Sequence, residues 1–146
     1  MKLSTRVRYG VRLLVELGLQ DGEKPVLLRD ISKSQEISEK YLGQIIIPLK
    51  AAGLVRTYRG ARGGYRLGKP AAAITIRDVV EILDGDMRLL ECAREPGACN
   101  QVSKCVTRNV WQELGNRISS YLESITIHDL MARCGGSRGG AITYHI

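Results

Sequence analysis

The chain has 146 residues, which is the size of one or at most two domains and is enough to build a packed core without disulfide bonds. Apolar residues make up 44% of it and charged residues 25%, which excludes a disordered or fibrous protein. No apolar stretch approaches the roughly 20 residues of a membrane-spanning helix. The apolar run near the N-terminus is interrupted by Arg12 and Glu16, so we expect no export signal, no membrane contact and a cytoplasmic location.

Positive charge is concentrated in the first half of the sequence. Residues 1–70 contain 14 Lys and Arg against 6 Asp and Glu, whereas residues 71–146 contain 8 against 9. A local excess of cations is typical of a surface that binds a polyanion such as nucleic acid. The alternative is a basic face that only keeps the protein in solution. The cysteines are equally uneven, because all four lie in the second half.

The first 53 residues predict three helices that include a helix-turn-helix. Apolar residues recur at helical spacing over residues 4–19, and either Ser4 or Thr5 can cap the start of this helix. A short helix follows the turn at 21–25 and ends near residue 36. Ser38 then caps a third helix that Gly53 closes. The buried face of this third helix is predicted to consist of four apolar side chains: Leu42, Ile45, Ile46 and Leu49.

A two-stranded hairpin is predicted directly after the third helix. Residues 54–58 and 65–67 have the composition of strands, and the glycines between them supply the positive φ that a tight turn needs. We expect Tyr58 and Tyr65 to lie in the core of the hairpin. Five cations and no acid occur between residues 54 and 69, which makes the hairpin a candidate wing.

The second half predicts two further helices around a loop that contains cysteines. Thr75 and Asp78 form a capping-box pattern ahead of an apolar run that Gly85 ends. Residues 86–104 are loop-like, and a long helix is predicted over about residues 105–124. Its apolar stripe recurs at steps of three and four: Val106, Val110, Leu114, Ile118, Tyr121 and Ile125. Little chain remains to cover this stripe, so we expect a partner helix from a second subunit.

Together these elements predict a mainly α fold with a small β-hairpin. We expect a winged helix-turn-helix DNA-binding head over residues 1–85. A cysteine loop and a long dimerisation helix follow over residues 86–133, and a flexible Gly-rich tail over residues 134–146.

The third helix and the hairpin supply the candidate DNA-binding residues. With the apolar face inward, helical geometry turns five residues outward: Glu39, Lys40, Gly43, Gln44 and Ile47. Residues near the start of such a helix reach base edges in the major groove, where Gln44 suits adenine and Lys40 suits guanine or phosphate. Ser38 either caps its helix or contacts a phosphate. Arg59 and Arg62 flank the hairpin tip and are candidates for phosphate or minor-groove contacts.

The cysteine loop supplies candidate metal ligands. Cys92, Cys99 and Cys105 have the spacing C-x6-C-x5-C, which fits structural zinc poorly because zinc sites use closer pairs. Three thiolates on one loop suit an iron–sulfur cluster, which needs four ligands. The alternative is three unligated thiols, one of them redox-active. Cys134 is the only other thiol: it is either the fourth ligand or an exposed thiol near the tail. His128 is expected at the surface.

Several motifs occur in one order along residues 1–133. These are Met1-Lys2-Leu3-Ser4 with Arg8-Tyr9, Ile37-Ser38-x-x-Tyr41-Leu42, Gly53-Leu54-Val55, Arg59-Gly60-x-x-Gly63-Gly64-Tyr65-x-Leu67, the three-cysteine loop, and Cys105-Val106-Thr107-Arg108-Asn109-Val110-Trp111. With these motifs the chain resembles the Rrf2 family of winged-helix regulators, in particular its iron–sulfur assembly regulators of the IscR type.

This resemblance implies a homodimer that binds a double-stranded DNA operator through two heads joined by crossed long helices. It implies a 2Fe-2S cluster held by the three loop cysteines, and it adds Tyr41 to the candidate DNA-binding residues. The fourth cluster ligand is unknown, because Arg108 stands where the best-known members have a histidine ligand and Arg8 where others have a carboxylate. The nearby oxygen donors Glu91, Thr107 and Asn109 are the alternatives. Some members carry glutamate at the position of Gly43, where it makes the choice of DNA site depend on the cluster.

The sequence therefore predicts a transcription repressor of iron–sulfur cluster assembly genes that senses cluster status. The alternative is a metal-free thiol-redox or cysteine-metabolism repressor of the same family. An iron–sulfur electron carrier would explain the cysteines but would leave the basic hairpin without a role. We expect no enzyme, because no nucleophile–base or carboxylate pair occurs at mechanistic spacing and both histidines lie close to the C-terminus.

Overall fold

The computed structural model of the chain describes residues 2–22 and 24–135. These residues form seven α-helices and one antiparallel two-stranded hairpin, which confirms the mainly α fold with a small β-hairpin. The elements in chain order are α1 (Thr5–Leu19), α2 (Leu28–Gln35), α3 (Glu39–Ala51), β1 (Val55–Tyr58), β2 (Gly64–Leu67), α4 (Ile76–Asp84), α5 (Glu91–Arg94), α6 (Arg108–Glu123) and α7 (Ile127–Gly135). Single 3-10 turns occur at Ala71–Ala73 and Pro96–Ala98.

Side-chain caps begin three of these helices at the predicted residues. The hydroxyl of Ser4 accepts a hydrogen bond from the backbone N–H of Val7 at 3.1 Å and so caps α1. At α4, Thr75 and Asp78 form a complete capping box, since each side chain accepts from the backbone N–H of the other residue. Such caps satisfy backbone donors that have no partner within the helix.

Helix α3 ends in a Schellman motif. Gly53 has a φ of 79°. Positive φ angles favour glycine, because a residue without a Cβ atom adopts them without steric strain. The N–H of Leu54 donates to the carbonyl of Leu49 at 2.9 Å, and the N–H of Gly53 donates to that of Lys50 at 3.0 Å. The chain therefore reverses tightly after α3 and enters β1 beside it.

The hairpin is joined to the segment before α2 by an isolated bridge. In the hairpin Val55 faces Leu67 and Tyr58 faces Gly64. The backbone N–H of Val26 donates to the carbonyl of Tyr65 at 2.9 Å, and the reverse bond measures 2.8 Å. This bridge fixes the base of the hairpin relative to the helix-turn-helix.

One apolar core connects the first four helices, the hairpin and α7. Buried residues include the predicted inner face of α3 and, from beyond α6, Ile127. The N–H of Ile127 donates to the carbonyl of Ile74 at 2.9 Å, and α7 packs against α1. Helix α7 thus returns to the head after the long helix.

The structure corrects several expectations. Residues 86–104 contain α5 and a 3-10 turn because four residues after Leu90 close a helical turn, so the segment is not entirely loop. The long helix begins at Arg108, three residues later than expected. Tyr58 is 41% exposed because it lies on the outer face of β1, whereas Tyr65 packs against the core as predicted.

The C-terminal boundary also shifts. Cys134 lies within the last turn of α7, where it packs against the core, and α7 ends at Gly135. The remainder of the predicted tail, residues 136–146, lies outside the described residues. Across residues 2–22 and 24–135, no helix is both long and apolar enough to cross a bilayer.

Candidate nucleic-acid interface and cysteine loop

The turn between α2 and α3 has a fixed geometry. Glu36 adopts the left-handed conformation with φ 53°, and the N–H of Ile37 donates to the carbonyl of Ser32 at 3.2 Å. The hydroxyl of Ser32 donates to the carbonyl of Ile37 at 2.6 Å. The hydroxyl of Ser38 accepts from the N–H of Tyr41 at 3.1 Å and caps α3. The helix-turn-helix is therefore held by local hydrogen bonds on both sides of the turn.

The outward side of α3 carries both polar and apolar side chains. Lys40 and Gln44 are exposed, and Ile47 is 68% exposed. Gly43 lies between them and is half-buried. We call these four residues the recognition face. They share one side of α3, opposite the buried stripe, as helical geometry predicts.

Tyr41 is placed differently from the rest of the candidate DNA-binding set. Its ring is half-buried and meets the ring of Tyr9 edge to face, with centroids 5.9 Å apart and planes at 79°. The guanidinium of Arg12 lies 5.3 Å from the centroid of the Tyr9 ring. Tyr41 of α3 therefore packs against α1, and its edge-to-face contact with Tyr9 stabilises the packing of the two helices.

The wing, which we define as residues 55–67, presents several cations to solvent. Arg56, Arg59 and Arg62 are exposed, and among the described residues none of them forms an ion pair. Arg66 differs, because it pairs with Asp21 at 3.0 Å and its guanidinium lies 6.0 Å from the ring of Tyr58. The tip of the wing thus keeps its positive charge available for an external anion.

A buried polar cluster joins α1 to the end of α2, directly before the turn of the helix-turn-helix. This cluster was not identified from the sequence. Glu16 of α1 is 7% exposed and Gln35 at the end of α2 is 4% exposed. The carboxylate of Glu16 accepts from Nε2 of Gln35 at 2.8 Å and from the hydroxyl of Ser34 at 3.1 Å. Nε of Arg12 donates to Oε1 of Gln35 at 3.0 Å. The sequence signal for this cluster was Glu16, a glutamate that stands among the apolar residues of α1.

The three candidate ligands occupy different parts of the cysteine loop, which we define as residues 86–107. Cys92 lies in α5, Cys99 follows the 3-10 turn and is exposed, and Cys105 precedes α6. In the part of the chain that the structure describes, no three His, Cys, Asp or Glu side chains lie close enough together to hold a metal ion. The thiols suit an iron–sulfur cluster in chemistry, but their arrangement does not form a ready site.

Cys105 has an activating environment at the start of α6. Its sulfur lies 3.3 Å from the hydroxyl of Thr107. Hydrogen bonding to this hydroxyl, with help from the backbone and the positive charge of Arg108, lowers the pKa of the Cys105 thiol. A lowered thiol pKa favours the thiolate, which is both the nucleophilic form and the metal-binding form of cysteine.

The start of the cysteine loop is held by an acidic residue with two basic partners. Nε of Arg88 donates to the Asp86 carboxylate at 2.6 Å, and Nε of Arg94 lies 3.4 Å from the same carboxylate. The hydrogen bond from the Arg88 side chain is the main cause that lowers the pKa of Asp86 to about 2. These contacts link α5 to the end of α4.

Helix α6 exposes most of its apolar stripe, although Ile118 is half-buried. None of its residues is buried, and the exposed fractions of Val110, Leu114 and Tyr121 are 57%, 40% and 63%. Val106, just before the helix, is 84% exposed. An apolar stripe of this length is typical of a surface that packs against another chain.

Comparisons with known proteins agree with this geometry. A family model described as "Rrf2: Iron-dependent Transcriptional regulator" matches residues 3–133. The chain is 39% identical to protein rrf2 of Nitratidesulfovibrio vulgaris over 131 residues. The aligned region covers 90% of this chain and 87% of that protein. It is 40% identical over 131 residues to the HTH-type transcriptional regulator IscR of Vibrio campbellii, with 90% and 77% covered.

A solved structure shows the same fold. The structure of CymR, the global cysteine regulator of B. subtilis, superposes with a TM-score of 0.77 at 34% identity and covers 91% of this chain and 98% of that one. The similar proteins therefore include a transcriptional regulator named IscR and a global cysteine regulator. The chain belongs to the Rrf2 family of winged-helix transcription regulators.

Proposed function

We propose that the chain is a repressor that reads an operator with α3 and grips the flanking backbone with the wing. The observation that carries this proposal is the recognition face, with Lys40 and Gln44 exposed, beside a wing whose Arg59 and Arg62 have no acidic partner among the described residues. Gln44 is suited to adenine, and the wing arginines to phosphates or a narrow minor groove. Ser38 caps α3 and Tyr41 packs on α1, so we assign both a supporting role.

The proposed working unit is a homodimer in the cytoplasm. The exposed stripe of α6 supports it, because a second copy of α6 would cover the same apolar side chains. Two heads related by a two-fold axis then read half-sites about 34 Å apart on a palindrome. Sedimentation of the wild type and of Leu114→Glu tests this arrangement. A dimer for the wild type and a monomer for the variant are expected, and a monomeric wild type would contradict it.

The cysteine loop is the proposed sensor, and two chemistries have support. In the first, Cys92, Cys99 and Cys105 hold a 2Fe-2S cluster together with an unidentified fourth ligand; the three-thiol donor set supports it, and the regulated genes would be those of cluster assembly. In the second, the thiols act without metal, as in a thiol-redox or cysteine-metabolism repressor. The lowered pKa of Cys105 and the separated thiols support this chemistry.

One experiment distinguishes the two chemistries. The protein is purified without oxygen, its visible absorption is recorded, and iron and sulfide are assayed on the same sample. A brown protein with equal iron and sulfide, whose colour is lost in Cys92→Ala, supports the cluster sensor. A colourless protein that resists reconstitution, and whose DNA affinity responds to oxidants, supports the thiol sensor. Cys134→Ala is the comparison: because Cys134 lies on α7 outside the loop, we expect the colour to persist, and its loss would identify Cys134 as the fourth ligand.

Operator selection from random duplexes tests the DNA-binding part independently of the sensor. We expect a palindrome whose half-sites are centred about one helical turn apart. Enrichment of no sequence would contradict the proposal, even if the protein bound a cluster, and would favour the electron-carrier alternative.

A further inference from the structure

An isoleucine lies exposed in the middle of the recognition face. Ile47 is 68% exposed, whereas Ile45 and Ile46 of the same helix are buried. With about 100° of rotation per residue, Ile47 is displaced by only about 20° around α3 from Lys40 and by about 60° from Gln44. It therefore points in nearly the same direction as the two polar residues that we assign to DNA. Its apolar area stays in water unless a ligand covers it.

Gly43, which has no side chain, lies one helical turn before this isoleucine. Residues 43 and 47 are neighbours on the surface of a helix because they are four positions apart. A Cβ built on Gly43 would meet only the Cδ2 atom of Leu28, at 3.8 Å, which is an ordinary contact. Leu28 begins α2 and is half-buried. Gly43 therefore places no side chain between Leu28 on one side and Ile47 on the other, and we call these three residues the apolar notch.

The charges around the notch indicate what occupies it. Lys40 lies on the same side of α3, and the neighbouring wing presents Arg59 and Arg62 without acidic partners among the described residues. The exposed acid Glu39 begins α3, so these three cations outnumber it. A ligand that reaches the notch is therefore a polyanion that carries a small apolar group. In the major groove of DNA, the apolar group on the base edges is the C5-methyl group of thymine.

We propose that the apolar notch of Leu28, Gly43 and Ile47 receives the C5-methyl group of one thymine in each half-site. The protein then selects thymine over cytosine at that position, because cytosine has no methyl group there. The inference rests on the proposed function, since it assumes that α3 enters the major groove. It assigns a specificity role to an apolar residue and to a glycine.

Replacing thymine by deoxyuridine tests the notch, because this change removes only the methyl group. Fluorescence anisotropy is used to titrate the selected palindrome and a series of duplexes, each with one symmetric pair of thymines replaced. At one position we expect binding to weaken about fourfold per half-site, the effect of one buried methyl group. The loss should vanish in Ile47→Ser and in Ile47→Ala, whose folding is checked by thermal melting.

A matched variant and three outcomes complete the test. Lys40→Ala should weaken binding to both duplexes and keep their ratio, because it removes charge and leaves the notch intact. Wild-type binding that is insensitive to every deoxyuridine would overturn the notch. Undiminished sensitivity in both Ile47 variants would do the same. If no duplex is selected at all, the proposed function is wrong and the role of the notch is wrong with it. If binding is sequence-specific but insensitive to every deoxyuridine replacement, only the role of the notch is wrong.

Discussion

Gln35 and Glu16 are joined by a buried hydrogen bond of 2.8 Å that ties the end of α2 to the middle of α1. Gln35 is followed directly by the left-handed residue Glu36, at which the chain turns toward α3. The position of α3, and so of the recognition face, depends on this contact. A buried carboxylate is stable only when its oxygens have partners, and here Gln35, Ser34 and Gln20 supply them.

We expect Gln35→Ala to lower the free energy of unfolding by about 1–3 kcal/mol, because it leaves a buried carboxylate oxygen without its donor. Urea denaturation measures the change, with an unchanged m-value. Ser34→Ala is the control: it removes a bond to the same carboxylate from an exposed residue, where water replaces the hydroxyl, so its effect should be clearly smaller. Equal losses in the two variants would contradict a special role for the buried bond.

We expect Gly68→Ala to destabilise the protein by about 1–3 kcal/mol through overpacking. A Cβ at Gly68 would lie 2.1 Å from the carbonyl oxygen of Gly53, and backbone cannot move aside as a flexible side chain can. Gly97→Ala provides the comparison, since a Cβ there would meet nothing within 4 Å. Thermal unfolding of both variants decides the matter. Equal melting temperatures for Gly68→Ala and Gly97→Ala would contradict the close approach of residue 68 to the backbone of Gly53.

Local patterns in the sequence predicted the parts of the fold that are governed by local physics. The caps at Ser4, Ser38 and Thr75 and the inner stripe of α3 follow from short-range rules of helix structure, and the structure confirms them. The Glu16–Gln35 contact joins residues 19 positions apart and depends on how α1 packs against α2. The start of α6 was placed too early because helix ends fray and leave no sharp signal.

In the candidate site, too, local sequence patterns predicted some features, whereas others depend on the tertiary fold. Exposure of Lys40, Gln44, Arg59 and Arg62 follows from helical periodicity and hairpin chemistry, whereas the packing of Tyr41 on Tyr9 requires knowledge of a second helix. The spacing of the cysteines gives their order along the loop but not their separation in space. Periodicity also placed Ile47 on the outer face, but the closeness of Gly43 to Leu28 of α2 emerges only from the fold.

The carboxylate of Asp86 should titrate near pH 2. Because this pKa lies below the ordinary 3.8, the ionised form stabilises the start of the cysteine loop above pH 3.8, and the stabilisation is lost as the pH falls toward 2. Carbon-detected NMR titration of the side-chain carboxyl measures the midpoint. Arg88→Ala should return the midpoint toward its ordinary value, since the Arg88 side chain is the main cause of the shift. A midpoint that does not move in this variant would exclude that cause.

Replacing Arg59 by alanine should weaken operator binding and flatten its salt dependence. Loss of one phosphate contact per subunit is expected to reduce the slope of log K against log salt by about 0.9 for each subunit bound. Arg133→Ala, which removes the same charge from an exposed position on α7, should leave the slope unchanged. Anisotropy titrations over a range of salt concentrations give both slopes. Equal slopes for the wild type and Arg59→Ala would remove Arg59 from the interface.

The most direct measurement compares the affinity of the protein for the selected palindrome with its affinity for a scrambled duplex of the same length and base composition. It is made at about 0.15 M salt, where surface charges are screened beyond about 8 Å. A sequence-reading face on α3 predicts that the palindrome is bound at least about 1,000-fold more tightly, and that Gln44→Ala reduces this ratio. Equal, weak binding of both duplexes would show that the basic half of the chain only attracts polyanions, and it would contradict a role in reading DNA.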